Sequence, residues 1–351
     1  MGTETRSGEA TKGLGRPTEE APSAGNGAGR LVAVVVTHNR CAQLDTTLTR
    51  LAAEPKNLLH AVVVVDNQST DDTEKLLTRH GAALPDRLLI HRSDTNLGGA
   101  GGFALGIRLA VERFDPDWVV VMDDDARPAS GALDAFHAGD HAGWEAVAAA
   151  VYFPGGDICE MNRPSCNPFW SGAGMARLVR HVAMGRGRDG FHIPVAAYRD
   201  TEPTPIDGAS FVGLFLSRRA IALAGYPDAR LFIYGDDVLY TLGLRERGGR
   251  ICFHPQVRFE HDFSTIHTAE KRFLPLWKSY YHHRNLLIVY RRAAGMLFWP
   301  ALLLILPKWI LKVRYHAGDR RAYLRLLARA VRDGLTLRLD VALADIQAAA
   351  R

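Results

Sequence analysis

"DWVVVMDDDARP", Asp117 to Pro128, sets an apolar run against three consecutive carboxylates. Val119 to Met122 read as part of a buried strand, and Asp123, Asp124 and Asp125 crowd its C-terminal end. Like charges this close repel, and no fold requires them there. Successive side chains on a strand alternate sides. If the extended geometry continues, Asp123 and Asp125 point one way and Asp124 the other. Asp-x-Asp at a strand end then forms a two-pronged oxygen site for a hard divalent cation, Mn²⁺ or Mg²⁺. Such a cation would remove the repulsion and neutralise charge on a departing diphosphate. The competing reading is a solvated acidic loop.

The flanking sequence repeats the same theme. "LVAVVVTHNR", "HAVVVVDNQST" and "RLLIHRSDTN" each read as a strand ending in polar residues. Helical spacing follows, as at Leu44, Leu48, Leu51 and Ala52, and a second helix is expected to start near Ser69 or Thr70. Near-continuous Val/Ile/Leu strands alternating with helices predict a parallel sheet covered on both faces. Right-handed crossovers then place the strand C-termini along one edge, where ligands bind. Thr37, His38, Asn39 and Arg40, then Asp66 and Asn67, then the three carboxylates all follow strand ends. One such cluster is ordinary turn chemistry, whereas three at equivalent positions point to a ligand site.

Asn96 and the glycines of "NLGGAGGFALG" allow close backbone approach and an anion at a helix N-terminus. They do not form G-x-G-x-x-G at the first strand, so a dinucleotide fold is disfavoured. Further on, Phe211 to Leu216 read as a strand and Arg218 to Ala224 as a helix. In "LFIYGDDVLY", Asp236 and Asp237 open a helix that ends at a glycine. Either could take a proton from an acceptor hydroxyl, and helix capping explains the pair about as well. "RICFHPQVRFEH" reads as one or two strands ending at His261, a candidate third metal ligand through an imidazole nitrogen.

The chain has 351 residues and is 47% hydrophobic, ample for a large core. Residues 1–29 are Gly/Pro/Ser/Thr/Glu-rich and are expected to be a disordered tail. The four cysteines lack paired spacing, which predicts reduced thiols and no structural zinc. No apolar stretch near the N-terminus suggests a signal peptide, so a cytoplasmic location is expected.

The net charge of +5 is uneven: residues 261–351 carry sixteen Lys/Arg against six Asp/Glu. "AAGMLFWPALLLILPKWILKVRYH" is strongly apolar but interrupted by Pro300 and Pro307, too short between them for the roughly 20 residues of a bilayer span. Lys308, Lys312 and Arg314 follow, then Arg321, Arg325, Arg329 and Arg332 at helical spacing. An apolar helix beside a basic amphipathic one predicts docking in a membrane interface, and the apolar character disfavours nucleic acid.

Taken in order, "VAVVVTHNR", "VVVVDNQSTDDT", "NLGGAGGFALG", "VVVMDDDARP", "LFIYGDDVLY" and "FEH" resemble family 2 glycosyltransferases of the GT-A fold. The combination is most similar to galactofuranosyltransferases of actinobacterial cell-wall galactan synthesis. The resemblance implies a Rossmann-like, mostly parallel sheet flanked by helices over residues 30–265; the helical, membrane-associating region expected over residues 266–351 lies outside the shared core and rests on its composition alone. The resemblance also implies inverting transfer of galactofuranose from UDP-galactofuranose to a polyprenyl-diphosphate-linked glycan acceptor at the inner membrane face. Asp123, Asp125 and His261 would hold the metal. Thr37, Arg40, Asp66 and Asn67 would bind the nucleoside, Asn96 the diphosphate or sugar region, and Asp124 the sugar or ribose.

Asp237 would be the base and Asp236 would orient the acceptor. Phe169, Trp170, Asp207, Gly208 and Ala209 are candidate acceptor contacts. Two positions depart from the family: His38 stands where Tyr is common, and Asp236 where Glu is common. A rhamnosyltransferase using dTDP-rhamnose shares much of the pattern. A nucleotidyltransferase is disfavoured because "THNRCAQLD" lacks glycines. A non-catalytic membrane adaptor on the same scaffold is the alternative from a different class, and homo-oligomer formation is left open.

Overall fold

The computed structural model describes residues 28–262 and 272–351. The tail expected at residues 1–29 falls almost wholly outside the described residues. The strands are β1 (Leu31–Thr37), β2 (Ala61–Asp66), β3 (Leu88–Arg92), β4 (Trp118–Asp123), β5 (Ala126–Pro128), β6 (Ala146–Tyr152), β7 (Thr204–Ile206), β8 (Leu214–Ser217) and β9 (Ile251–His261). The helices of the sheet region are α1 (Cys41–Ala53), α2 (Thr73–Ala83), α3 (Gly98–Phe114), α4 (Ala132–Ala138), α5 (Gly172–Ala183), α6 (Arg218–Ala224) and α7 (Asp236–Glu246). The C-terminal helices are α8 (Lys278–Ala294), α9 (Phe298–Leu311), α10 (Arg320–Leu335) and α11 (Leu343–Ala349).

One sheet runs β3-β2-β1-β4-β8-β6-β9-β5, and β7 also pairs with β9. β1 to β4 are parallel, as the alternating pattern predicts. The sheet as a whole is mixed, because β8 lies antiparallel between β4 and β6. Alternation divides the core. Val32, Val34, Val36, Val63, Val65, Val119 and Val121 pack against Phe103, Ile107 and Ala110 of α3. Ala33, Val35, Val62, Val64, Val120 and Met122 pack on the other face against Leu44, Leu48 and Leu51 of α1 and Leu76 and Leu77 of α2. Each fully buried Val contributes about 1.5–3 kcal/mol, so the register of these strands is strongly fixed.

That register positions the strand ends. Thr37 is level with Asp66. Val36 is level with Asp123. α3 packs close to this edge through Gly102, where a Cβ would meet Val36 Cγ1 at 2.5 Å and Asn67 Nδ2 at 3.0 Å.

Several boundaries differ from the sequence reading. α2 starts at Thr73 rather than near Ser69. Ser69 N instead donates to Asp66 Oδ1 (2.9 Å), and Asp71 Oδ1 receives Thr73 N (3.2 Å), so a polar turn extends along the sheet edge. β8 begins at Leu214 rather than Phe211, because Gly213 takes φ +67 beside Phe259.

The prolines do not divide the C-terminal segment. Pro300 sits in the first turn of α9, where its missing N–H is tolerated, and α9 continues through Pro307. The helical run over residues 278–315 spans 38 residues and is long and apolar enough to cross a membrane by length and composition. Within that run α8 and α9 are separate helices joined at Gly295, which takes φ +53, and the apolar helix α9 has 14 residues. The apolar face of the basic helix α10 is internal: Tyr323, Leu326, Leu327 and Ala330 are buried, and α10 packs on α8. Outward apolar surface comes instead from α9 and the turn before it, with Met296 84%, Leu303 75% and Leu304 69% exposed.

Candidate active site

The acidic triplet does not continue as a strand. β4 ends at Asp123, Asp124 and Asp125 form a turn, and β5 starts at Ala126. β5 pairs antiparallel with β9, placing Ala126 level with His261. The turn and this pairing, rather than the strand pleat, bring Asp123, Asp125 and His261 together. One ligand atom from each lies within 4.8 Å of the others.

Each carboxylate has different surroundings. Asp124 is buried, and its Oδ2 accepts from Thr37 Oγ1 (2.7 Å). Burial lifts it to about 7, against the opposing pull of Arg40 and Thr37. The Asp125 carboxylate receives the Arg40 guanidinium at Oδ2 and lies 3.0 Å from His261 Nε2 at Oδ1. Burial works against its charge, but His261 and Arg40 outweigh burial and hold it below the ordinary carboxylate range. Asp123 is raised well above that range, first by desolvation and then by Asp125, Asp124 and Asp236.

This donor set fits a hard divalent cation: two carboxylates, one imidazole, and an acidic group left with net repulsion. His261 Nδ1 lies 2.8 Å from Asn162 Oδ1, an acceptor that favours the Nδ1–H tautomer, so Nε2, now facing Asp125, is the nitrogen that would ligate. Asn162 was not legible as a site residue, because it lies in an irregular stretch.

Along the same edge, Asp66 and Asn67 are buried. Asp66 Oδ2 and Asn67 Oδ1 have no hydrogen-bond partner among the described residues. The nearest cation to Asp66 Oδ2 is Arg92, with Nε at 3.8 Å. Asn67 Nδ2 donates to Gly98 O (2.8 Å), and Asn96 Oδ1 receives Gly98 N (2.8 Å), so both side chains shape the entry to α3. His38 Nδ1 lies 2.7 Å from Asn67 O.

Asp236 and Asp237 form the first turn of α7 after Gly235, which takes φ +75. Desolvation and the neighbouring Asp237 push Asp236 up to about 8. Desolvation pushes Asp237 up to about 6, partly offset by backbone hydrogen bonds, including Val238 N to Oδ1 at 2.7 Å. Both carboxyls are raised and they titrate as a pair, so near neutral pH the pair retains a proton more readily than exposed carboxylates would, which suits a hydrogen-bonding role beside a basic one. Asp236 is close enough for its charge to act on Asp123.

The acceptor candidates are scattered. Trp170 is 42% exposed, and Phe169 packs against the cluster formed by α8 and α9. Both Asp207 oxygens are engaged, Oδ1 by Arg245 Nε (2.8 Å) and Oδ2 by Asn167 N (2.7 Å). Gly208 is paired through its backbone with Ser165, and Ala209 is buried beside Thr241. Asp207, Gly208 and Ala209 thus bind the loops to one another. Lys278, at the start of α8, was also not singled out from sequence. Burial and then Arg40 depress its ammonium, so it lies within electrostatic reach of the acidic edge.

The sheet order and its flanking helices match the GT-A fold. Residues 32–180 match the Glycosyl transferase family 2 sequence model. The chain is 30% identical over 209 residues to the galactofuranosyltransferase GlfT1 of Mycolicibacterium smegmatis, covering 59% of this chain and 62% of that protein. The chain thus spans about three fifths of the length of the first curated relatives it matches. The Staphylococcus aureus TarS 1–349 structure in complex with UDP-GlcNAc superposes with a TM-score of 0.51 at 14% identity, covering 92% of this chain and 88% of that one. GalNAc-T7 with UDP, GalNAc and Mn²⁺ also gives 0.51 at 13% identity, covering 74% of this chain and 47% of that one.

Proposed function

We propose that the chain is a metal-dependent inverting glycosyltransferase that moves galactofuranose from UDP-galactofuranose to a polyprenyl-diphosphate-linked glycan. The observation that carries this reading is the gathering of Asp123, Asp125 and His261 on the sheet edge that also holds the open acceptors of Asp66 and Asn67. The similarity to GlfT1 supports the choice of donor. Asp123, Asp125 and His261 would hold Mn²⁺ or Mg²⁺. That ion supplies a Lewis acid that offsets charge on the departing UDP.

The chain's own groups do the rest. Asp66 Oδ2 and Asn67 Oδ1 accept from nucleoside N–H groups. Arg40 moves between its present carboxylate partners and a phosphate oxygen. Asn96 shapes the helix entry beside the diphosphate, and Thr37 holds Asp124 against the donor. Asp237 accepts the proton of the attacking hydroxyl, while protonated Asp236 donates a hydrogen bond that orients the acceptor. Because the acceptor oxygen would bond to the anomeric carbon on the face opposite the C1–O bond to UDP, which breaks in the same step, the anomeric configuration inverts.

The exposed apolar side of α9, with Lys308, Lys312 and Arg314 along and just beyond it, is the surface proposed to meet the inner membrane face where lipid-linked acceptors reside. A donor comparison in the presence of Mn²⁺ tests the specificity. UDP-galactofuranose should be consumed faster than UDP-galactopyranose or dTDP-rhamnose. Preference for dTDP-rhamnose would reassign the sugar and keep the mechanism.

The pH dependence carries a second test. With Asp237 pushed up to about 6, kcat/KM should fall about tenfold for each pH step below that value and level off above it. Metal-free stability should move oppositely. Asp236 is raised from 3.8 to about 8, so the folded state holds a proton that the unfolded chain has released. Between those values this group makes stability fall as pH rises. A kcat/KM that stays flat down to pH about 5 would remove Asp237 as the base.

A further inference from the structure

The chain leading into Asp236 and Asp237 is strained, and two side chains of α8 hold it. Phe232 has φ +66 and ψ −67, and Ile233 N donates across it to Leu231 O (2.9 Å). This is the rare, strained form of γ-turn. Tyr234 then takes φ +67 and Gly235 φ +75. Two bulky residues in the left-handed region within three positions are costly unless the surroundings enforce them.

Every carbonyl from 230 to 234 is gripped by another element. Arg284 Nη2 donates to Arg230 O (3.1 Å) and Leu231 O (3.0 Å). Asn285 Nδ2 lies 2.9 Å from Leu231 O, 2.8 Å from Ile233 O and 2.8 Å from Tyr234 O. Ala100 N, in the first turn of α3, donates to Phe232 O (3.0 Å). Arg284 Nε donates to Asn285 Oδ1 (2.8 Å), which turns the amide NH₂ toward the carbonyls. Both side chains have no solvent exposure, and Arg284 is the largest fully buried side chain among the described residues. No hydrogen bond from Arg284 to a carboxylate is found in the described residues, although Asp228 lies within reach of its charge; it also meets Leu339 O at 3.3 Å and the Tyr280 and Tyr281 rings. Burying a guanidinium without a bonded carboxylate is expensive. Core packing alone is better served by Leu or Met at the same position.

We infer that Arg284 and Asn285 are positioning residues: they lock the 230–235 loop in a strained form that presents Asp236 and Asp237 to the acceptor. The inference rests on the proposed transferase reading. The clamp also connects two halves of the site, because the same loop contacts α3 beside Asn67 and Gly98. The "RN" pair was visible in "SYYHHRNLLIVY", but not its purpose, because its partners lie about fifty residues upstream.

Asn285→Asp keeps size and shape but turns an acceptor toward three carbonyls. It should lower kcat by about 100-fold, the loss expected for a misplacement near 1 Å. KM for the donor and UDP affinity with Mn²⁺ should stay within about twofold, because the open acceptors Asp66 Oδ2 and Asn67 Oδ1 are placed by the end of β2 rather than by the loop. Tyr234→Gly, placed in that background, relaxes the left-handed demand and should recover about tenfold in kcat. If Asn285→Asp does not accumulate as folded protein, Asn285→Ser, which retains one donor, takes its place with the same expectations.

Amide exchange at residues 231–238 supplies a readout that does not need turnover. It should accelerate in the variant while exchange in β1 and β4 is unchanged. Wild-type kcat retained within about twofold, or exchange unchanged at 231–238, would overturn the clamp. A wild-type protein inactive with every donor, but with the exchange response intact, would overturn the function and leave the clamp standing.

Discussion

Asp237→Asn should reduce kcat by about 10³-fold while leaving donor KM and Mn²⁺-dependent UDP affinity nearly unchanged. The substitution keeps the side-chain volume and the Val238 N contact, and removes only the basic oxygen. Asp236→Asn should be far milder. Burial and the neighbouring Asp237 push Asp236 up, which favours its neutral form, and an amide imitates that form. Initial rates with saturating acceptor separate the two. Equal losses, or a larger one at Asp236, would transfer the basic role to that residue.

Asp123→Ala and Asp125→Ala should each abolish metal-dependent turnover, with losses of about 10³-fold or more. Their effects on stability should differ. Asp123 is held well above the ordinary range by burial and like charge, so removing it from metal-free protein relieves an unfavourable contact. The Asp123→Ala melting temperature should match or exceed that of the wild type. Asp125 partners both Arg40 and His261, so its removal strips two groups at once and should lower the melting temperature. Turnover retained in both variants would remove these residues from the metal site.

The sheet was largely legible because its signal is local. Short Val-rich runs bounded by polar turn residues favour buried strands, and β1, β2 and β4 carry polar residues at and just past their ends. The antiparallel β8 was not legible, since strand direction depends on how a less regular 150–210 segment returns to the sheet. Asp123 and Asp125 were grouped through strand alternation. The structure groups them through a turn and the pairing of Ala126 with His261, a contact spanning 135 positions that no local pattern carries.

Asn162 behind His261, and the Arg284–Asn285 pair behind the 230–235 loop, were missed for the same reason: each acts on a distant backbone or side chain. At the C-terminus, amphipathicity was read correctly, but its direction was not. α10 spends its apolar face on α8, leaving α9 as the outward apolar surface.

The most direct test of the metal-centred account is a crystal structure with Mn²⁺ and UDP, with anomalous scattering recorded at the manganese edge. The account predicts one strong peak within ligating distance, about 2–2.3 Å, of oxygens of Asp123 and Asp125 and of His261 Nε2, with the UDP diphosphate beside it. UDP bound at this edge with no manganese at those three residues would contradict it.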